Sequence, residues 1–134
     1  GNIEAYRQAH ADILAGRVWY EARGQVLEGS MGTRVLLGEK VKMGKGVTFN
    51  GCVIIGPHCR VRDNVVIENS VIWEDTILGE HCVIRDAVIG AGCEIGELAL
   101  INSGAVIASG CTIPAGANID AGARVVQPRT QPGA

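Results

Sequence analysis

A large aliphatic or aromatic residue returns every six positions along most of this chain. The series runs Leu37, Met43, Phe49, Ile55, Val61 and Ile67, then Ile72, Leu78 and Ile84, then Ile89, Ile95, Ile101, Ile107, Ile113, Ile119 and Val125. Two steps are shortened to five residues, Ile67 to Ile72 and Ile84 to Ile89, and the segments around them align as Ser70-Val71-Ile72 with Ala87-Val88-Ile89. The irregularity is itself repeated, which checks the register. Two positions before each large residue stands a small or β-branched one: Val41, Val47, Val53, Cys59, Val65, Ser70, Thr76, Cys82, Ala87, Cys93, Ala99, Ala105, Cys111, Ala117 and Ala123. Apolar positions two apart face the same side of a β-strand, and the gap before the next large residue leaves room for a corner. Glycine follows the large residue at Gly38, Gly44, Gly56, Gly79, Gly90 and Gly96, and stands three residues after it at Gly46, Gly92, Gly104, Gly110, Gly116 and Gly122. Both sets read as turn positions that tolerate positive φ.

Three such units close one triangular coil. Coils therefore begin near Leu37, Ile55, Ile72, Ile89 and Ile107 and stack about 4.8 Å apart, as parallel strands do. The pattern predicts a parallel β-helix of five coils over 37–126. Ahead of it, Asn2 is placed to cap a short α-helix over 1–16, with Ile3, Tyr6, Ile13 and Leu14 on one stripe and Gly16 to end it. Residues 17–36, with Trp19, Tyr20, Val26 and Leu27 among turn formers, suit a linker or an imperfect first coil, and 127–134 read as a frayed tail.

The residue just before each large one points outward. On the face that opens each coil these are Leu36, Ile54, Val71, Val88 and Val106, all aliphatic. The next face carries Lys42, Arg60, Ile77, Glu94 and Thr112, and the third Thr48, Val66, Val83, Leu100 and Asn118. A stacked aliphatic row marks a surface that something covers: the N-terminal helix, another domain or a second protomer. Trp73 belongs to the same candidate interface, because it takes an outward slot that neighbouring coils fill with Gly56 and Gly90.

Composition narrows the functions. Twelve basic and 14 acidic residues, a net charge of -2 and 4% aromatics give no electrostatic or stacking footprint for nucleic acid. No window approaches the roughly 20 apolar residues of a membrane span, so neither nucleic acid nor membrane is an expected partner and the expected location is cytoplasmic. Five cysteines without a C-x-x-C pair read as reduced thiols, with Cys59, Cys82, Cys93 and Cys111 in small inward slots and Cys52 at a corner.

The ladder resembles that of hexapeptide-repeat proteins. The resemblance implies a left-handed coil, opposite to the usual hand of parallel crossovers. The expected fold class is therefore all-β: a left-handed parallel β-helix of about five coils, preceded by one short α-helix. Some proteins of this kind are acyltransferases with a histidine general base, and others are γ-type carbonic anhydrases with a three-histidine zinc site. Here His58 and His81 fall in the slot that Gly46, Gly92, Gly104 and Asn64 fill elsewhere, so turn chemistry explains them. They stand at different corners in different coils, His10 belongs to the helix, and the ladder has no insertion to cover an acyl carrier. No catalytic residue and no metal ligand is expected in this chain.

A closer resemblance is carried by two segments. Gly1-Asn2-Ile3-Glu4-Ala5-Tyr6-Arg7-Gln8-Ala9-His10 resembles the end of the catalytic domain of sugar-nucleotide pyrophosphorylases, most of all mannose-1-phosphate guanylyltransferases. Ser70-Val71-Ile72-Trp73, Ile77-Leu78-Gly79 and Ala87-Val88-Ile89-Gly90 are similar to the C-terminal β-helix of the same enzymes. In that family an N-terminal domain binds a nucleoside triphosphate and Mg²⁺ and transfers a nucleotidyl group to a sugar 1-phosphate. The family's G-x-G-x-R signature and catalytic lysine have no counterpart here. The resemblance thus implies a non-catalytic β-helix serving oligomerisation, interdomain packing or regulation, with a homo-oligomer and the missing catalytic domain as partners. Nucleoside triphosphate, sugar 1-phosphate and Mg²⁺ then belong to the parent enzyme, and this chain itself needs no cofactor. The alternative is a free-standing acyltransferase or carbonic anhydrase.

Overall fold

The computed structural model describes residues 32–126, together with the backbone of a strand at 25–28. The helix expected over 1–16 and the tail over 127–134 lie outside the described residues. Strands β2 to β17 wind as a left-handed parallel β-helix of about five coils with three faces. The first face stacks β2 (Arg34–Leu37), β5 (Cys52–Ile55), β8 (Val71–Ile72), β11 (Val88–Ile89), β14 (Val106–Ile107) and β17 (Arg124–Val125). The second stacks β3 (Lys42–Met43), β6 (Arg60–Val61), β9 (Ile77–Leu78), β12 (Glu94–Ile95) and β15 (Thr112–Ile113). The third stacks β4 (Thr48–Asn50), β7 (Val66–Glu68), β10 (Val83–Arg85), β13 (Leu100–Ile101) and β16 (Asn118–Ile119). Register pairs put like above like, as in Ile55↔Ile72, Ile72↔Ile89 and Ile89↔Ile107. The five-residue steps are absorbed at the corner before the first face, with no slip in that ladder.

In the stretch expected to be a linker or imperfect coil, β1 (Gln25–Glu28) pairs antiparallel with β2, from Gln25↔Leu37 to Glu28↔Arg34. The parallel ladder itself begins at Arg34, three residues before its first large residue, Leu37.

The core is the stack of inward residues. Ile67, Ile72, Leu78, Ile84, Ile89 and Ile101 are fully buried, and each contributes about 1.5–3 kcal/mol before entropy is subtracted. The periphery is looser. Met43, predicted inward, is 38% exposed because β3 is the outermost strand of its sheet. Phe49, Ile119 and Val125 are half-buried near the ends of the stack.

Each of the fifteen corners carries one residue with φ between 43° and 83°. Between the first and second faces these are Lys40, His58, Asp75, Gly92 and Gly110; between the second and third, Gly46, Asn64, His81, Leu98 and Gly116; between the third and first, Gly51, Asn69, Asp86, Gly104 and Gly122. From His58 onward their amides bond the coil before, as His58 N does to Glu39 O at 2.8 Å and Leu98 N to Glu80 O at 2.9 Å.

The two glycine sets have different causes, which corrects the single reading made from sequence. Glycines three after the large residue do hold positive φ. Those directly after it do not. A Cβ on Gly56 would lie 2.6 Å from the backbone nitrogen of Glu74, and one on Gly79 would lie 2.5 Å from that of Glu97. These positions need glycine because the next coil passes too close for a side chain.

Candidate functional site: the outer faces of the coil

The inward slots hold no reactive constellation. On the second face the small slot stacks Cys59, Thr76, Cys93 and Cys111, and this column works as a set of hydrogen-bond donors. Cys59 Sγ donates to Trp73 O at 2.9 Å, Thr76 Oγ1 to Gly90 O at 2.9 Å and Cys93 Sγ to Ala108 O at 3.1 Å. Each therefore satisfies a carbonyl at the end of a first-face strand one coil further on. Thr76 Oγ1 also accepts from Cys93 N at 3.2 Å, while on the first face Ser70 Oγ donates to Glu68 O at 2.6 Å and accepts from Ala87 N at 3.0 Å. Both buried hydroxyls are thus satisfied in both directions.

All five cysteines are free thiols, and only Cys52 is not buried. Burial pushes the Cys59 thiol up to about 11 and the Cys82 thiol up to about 12, and raises Cys93 as well. A thiol held protonated is a poor nucleophile and a poor metal ligand. His58 and His81 are exposed at their separate corners, one between the first and second faces and the other between the second and third, both at positive φ. Among the described residues no group of three or more His, Cys, Asp or Glu converges to hold a metal. No helix of the described residues is long and apolar enough to cross a membrane.

What distinguishes the faces lies outside. Along the first, Leu36↔Ile54, Ile54↔Val71, Val71↔Val88 and Val88↔Val106 are register partners, so the predicted aliphatic row is continuous. Leu36, Val71 and Val88 are only 7%, 7% and 6% exposed, yet none belongs to the core cluster. Ile54, Val106 and Trp73 are half-buried. The six residues singled out from sequence are thus brought onto one side of the coil.

The second face is charged, and Arg62, Glu80, Glu94, Glu97 and Thr112 line an open hollow on it. The third face has an apolar middle that the sequence reading passed over. Val66, Val83 and Leu100 stack in register between exposed Thr48 and Asn118, and all three are half-buried. At its leading corner Leu98 is 63% exposed with φ 62°, in a slot where the other coils have Gly46, Asn64, His81 and Gly116. Aligning the corner slots by number would have exposed that leucine as the odd member. At the trailing edge Glu68 accepts from Asn50 Nδ2 at 3.2 Å and pairs with Arg85 Nε at 3.4 Å.

No curated protein sequence matches the chain. Among solved structures, a hexapeptide transferase family protein from Anaplasma phagocytophilum is similar with a TM-score of 0.56 and 20% identity, over 73% of this chain. This chain spans 64% of that protein's length, and at such identity the likeness is one of fold. A Bacillus cereus protein described as an acetyltransferase aligns over 75% of this chain and 73% of its own at 16% identity, with a TM-score of 0.37. A family model, that of the EIF2B subunit epsilon LbH domain, matches residues 17–119, and with more than half its length so matched this chain belongs to that family of left-handed β-helix domains.

Proposed function

We propose that this chain is the non-catalytic β-helix of a sugar-1-phosphate nucleotidyltransferase-type protein, of the mannose-1-phosphate guanylyltransferase kind, and that its first face docks the coil onto the preceding part of the same polypeptide. The observation that carries the reading is the aliphatic row from Leu36 to Val106. Its members Leu36, Val71 and Val88 are buried in a single chain although they point away from the core. A stacked outward aliphatic row so far withdrawn from water is suited to contact, and the preceding part of the chain is the partner we assign to it. The family description names a subunit, a chain that works within an assembly. In the parent protein the nucleoside triphosphate, Mg²⁺ and sugar 1-phosphate belong to the catalytic domain, and the β-helix supplies no group to the reaction.

The test is pyrophosphate release by the full-length protein from GTP and mannose 1-phosphate in Mg²⁺, with other nucleoside triphosphates and sugar 1-phosphates in parallel. Transfer is expected, and no transfer with any pair overturns the reading. Docking is checked separately: Val71→Glu with Val88→Glu should loosen the docked segment and leave the coil folded. Unchanged protection of that segment in hydrogen exchange would refute the docking face.

A second reading, a hexapeptide-repeat acyltransferase, is compatible with the fold shared with the hexapeptide transferase family protein of Anaplasma phagocytophilum. It requires turnover of an acyl donor that is lost in His58→Ala or His81→Ala.

A further inference from the structure

We infer that the second face, over its first two coils, is a docking site for an extended acidic segment of a different polypeptide. This does not rest on the parent activity proposed above.

The cations of the coil are gathered there. Lys40, Lys42, Lys45, Arg60 and Arg62 lie on this face or at its two corners, and all are exposed; residues 32–126 hold only three others, Arg34, Arg85 and Arg124. They also stand like beside like. Lys42 and Arg60 are register partners on the outer side, about 4.8 Å apart, and like charges set opposite each other on neighbouring strands cost stability. Elsewhere the same stacking sets opposite charges together, as where Arg85 lies over Glu68 and pairs with it at 3.4 Å. Among the described residues none of the five makes an ion pair. Two acids stand at the edges, Glu39 at the first corner and Asp63 at the second, where Asp63 Oδ1 accepts from Lys45 N at 2.9 Å. Five unpaired cations against two acids leave a local excess that an anionic partner would relieve.

The layout of the patch selects the occupant. Arg60 and Arg62, two residues apart in an extended stretch, stand about 6.6 Å apart. Lys42 lies beside Arg60 in the first coil, and Gly44, beside Arg62, leaves bare backbone between Lys42 and Lys45. An extended segment laid along the strands shows alternate side chains on one side at the same spacing. Acids at alternate positions therefore meet the two arginines, whose planar guanidinium forks match carboxylates. Further along the face the sign reverses. Arg62 is at one end of the hollow whose other lining residues include Glu80, Glu94 and Glu97. A nucleic acid or an anionic membrane spread along the face would meet these carboxylates, and no strand of the face carries an aromatic ring on which a base could stack. Nor is the partner a second copy: this chain has no two acids at positions two apart. The charge pattern thus limits the partner to a short acidic stretch that crosses the face along its strands.

Fluorescence anisotropy on the full chain at low salt reads the result, with a labelled peptide of alternating glutamate and serine as the probe. Saturable binding is expected, falling as added salt screens the charges. Arg60→Glu with Arg62→Glu should weaken it by about tenfold or more. Arg124→Glu, an exposed reversal on another face, should leave it unchanged. Lys42→Glu should weaken binding while raising the thermal midpoint of the free chain, because it sets an acid beside Arg60. That split separates a contact residue from a structural one. All four substitutions alter exposed positions, so the coil stays folded in each. No saturable binding, an equal loss in Arg124→Glu, or binding of a short oligothymidine or of anionic phospholipid vesicles as tight as that of the peptide overturns the inference.

Discussion

The first and third faces of the coil have nearly the same inside and different outsides. Both are built on fully buried isoleucines, Ile72 and Ile89 on one and Ile67, Ile84 and Ile101 on the other. Both carry aliphatic residues outward through the middle coils. On the first face Val71 and Val88 are buried; on the third Val66 and Val83 are half-exposed. The residue types are identical, so hydrophobicity does not account for the difference. The surroundings of each face must account for it, and a repeat that makes three similar walls can give each a separate contact.

The largest effect expected from mutation tests the shared inside. Ile84→Ala and Ile89→Ala each remove a fully buried side chain from a stack with no slack, and each should cost about 2–5 kcal/mol in denaturant unfolding. The two costs should agree closely. A large disparity would mean that the inner walls already differ and would break the comparison at its root.

Next in size is the outward pair. Val88→Glu places a carboxylate where only 6% of the residue meets water, and should destabilise the chain by roughly 1–3 kcal/mol. Val83→Glu, at the equivalent outward position of the third face, should move stability by less than about 0.5 kcal/mol in the single chain. Equal losses from the two substitutions, measured by urea unfolding at low protein concentration, would show that the faces are not differently covered.

The ladder was legible in the sequence because each coil repeats the same demand. Every large residue from Ile55 to Ile113 that the six-residue count sends inward is buried, and the shortened steps at Ile72 and Ile89 land in register. The corner histidines were legible too, since His58 and His81 share slots with glycine and asparagine and take their φ. Other features depend on what passes nearby. Gly56 and Gly79 look like turn glycines, yet it is the backbone of the next coil that excludes a side chain there. The thiols read as small hydrophobes, but only the position of the next coil's carbonyls shows Cys59 and Cys93 donating to them. The aliphatic row on the first face was plain, while which of its members are buried, Leu36, Val71 and Val88 rather than Ile54 and Val106, was not, because burial depends on all that packs around each position. Leu98 was missed for the opposite reason. Nothing about an isolated leucine is unusual until its neighbours in the stack show that the slot calls for positive φ.

The smallest effect near neutral pH comes from the same inward slots and grows in alkali. The first face has no thiol in its described small slots, which are Val35, Val53, Ser70, Ala87, Ala105 and Ala123; the third has Cys82 and the second has Cys59, Cys93 and Cys111. Burial holds Cys59 near 11 and Cys82 near 12 from an ordinary value of 9.0. A group whose folded pKa is raised binds more protons folded than unfolded at intermediate pH, so stability falls as pH rises. The contribution is intact below about 9 and is lost progressively towards 11 for Cys59 and 12 for Cys82. Alkali acts on the whole chain, so the informative measurement is a difference. Cys82→Ala puts in the third-face slot what Ala99 already supplies one coil on, and should flatten the fall in unfolding free energy between pH 9 and pH 12. Cys59→Ala should flatten it less, because its thiol is raised less. Identical alkaline profiles for the unaltered chain and Cys82→Ala would mean that this slot is wet, and the description of the third-face wall as a dry interior with an exposed outside would fail.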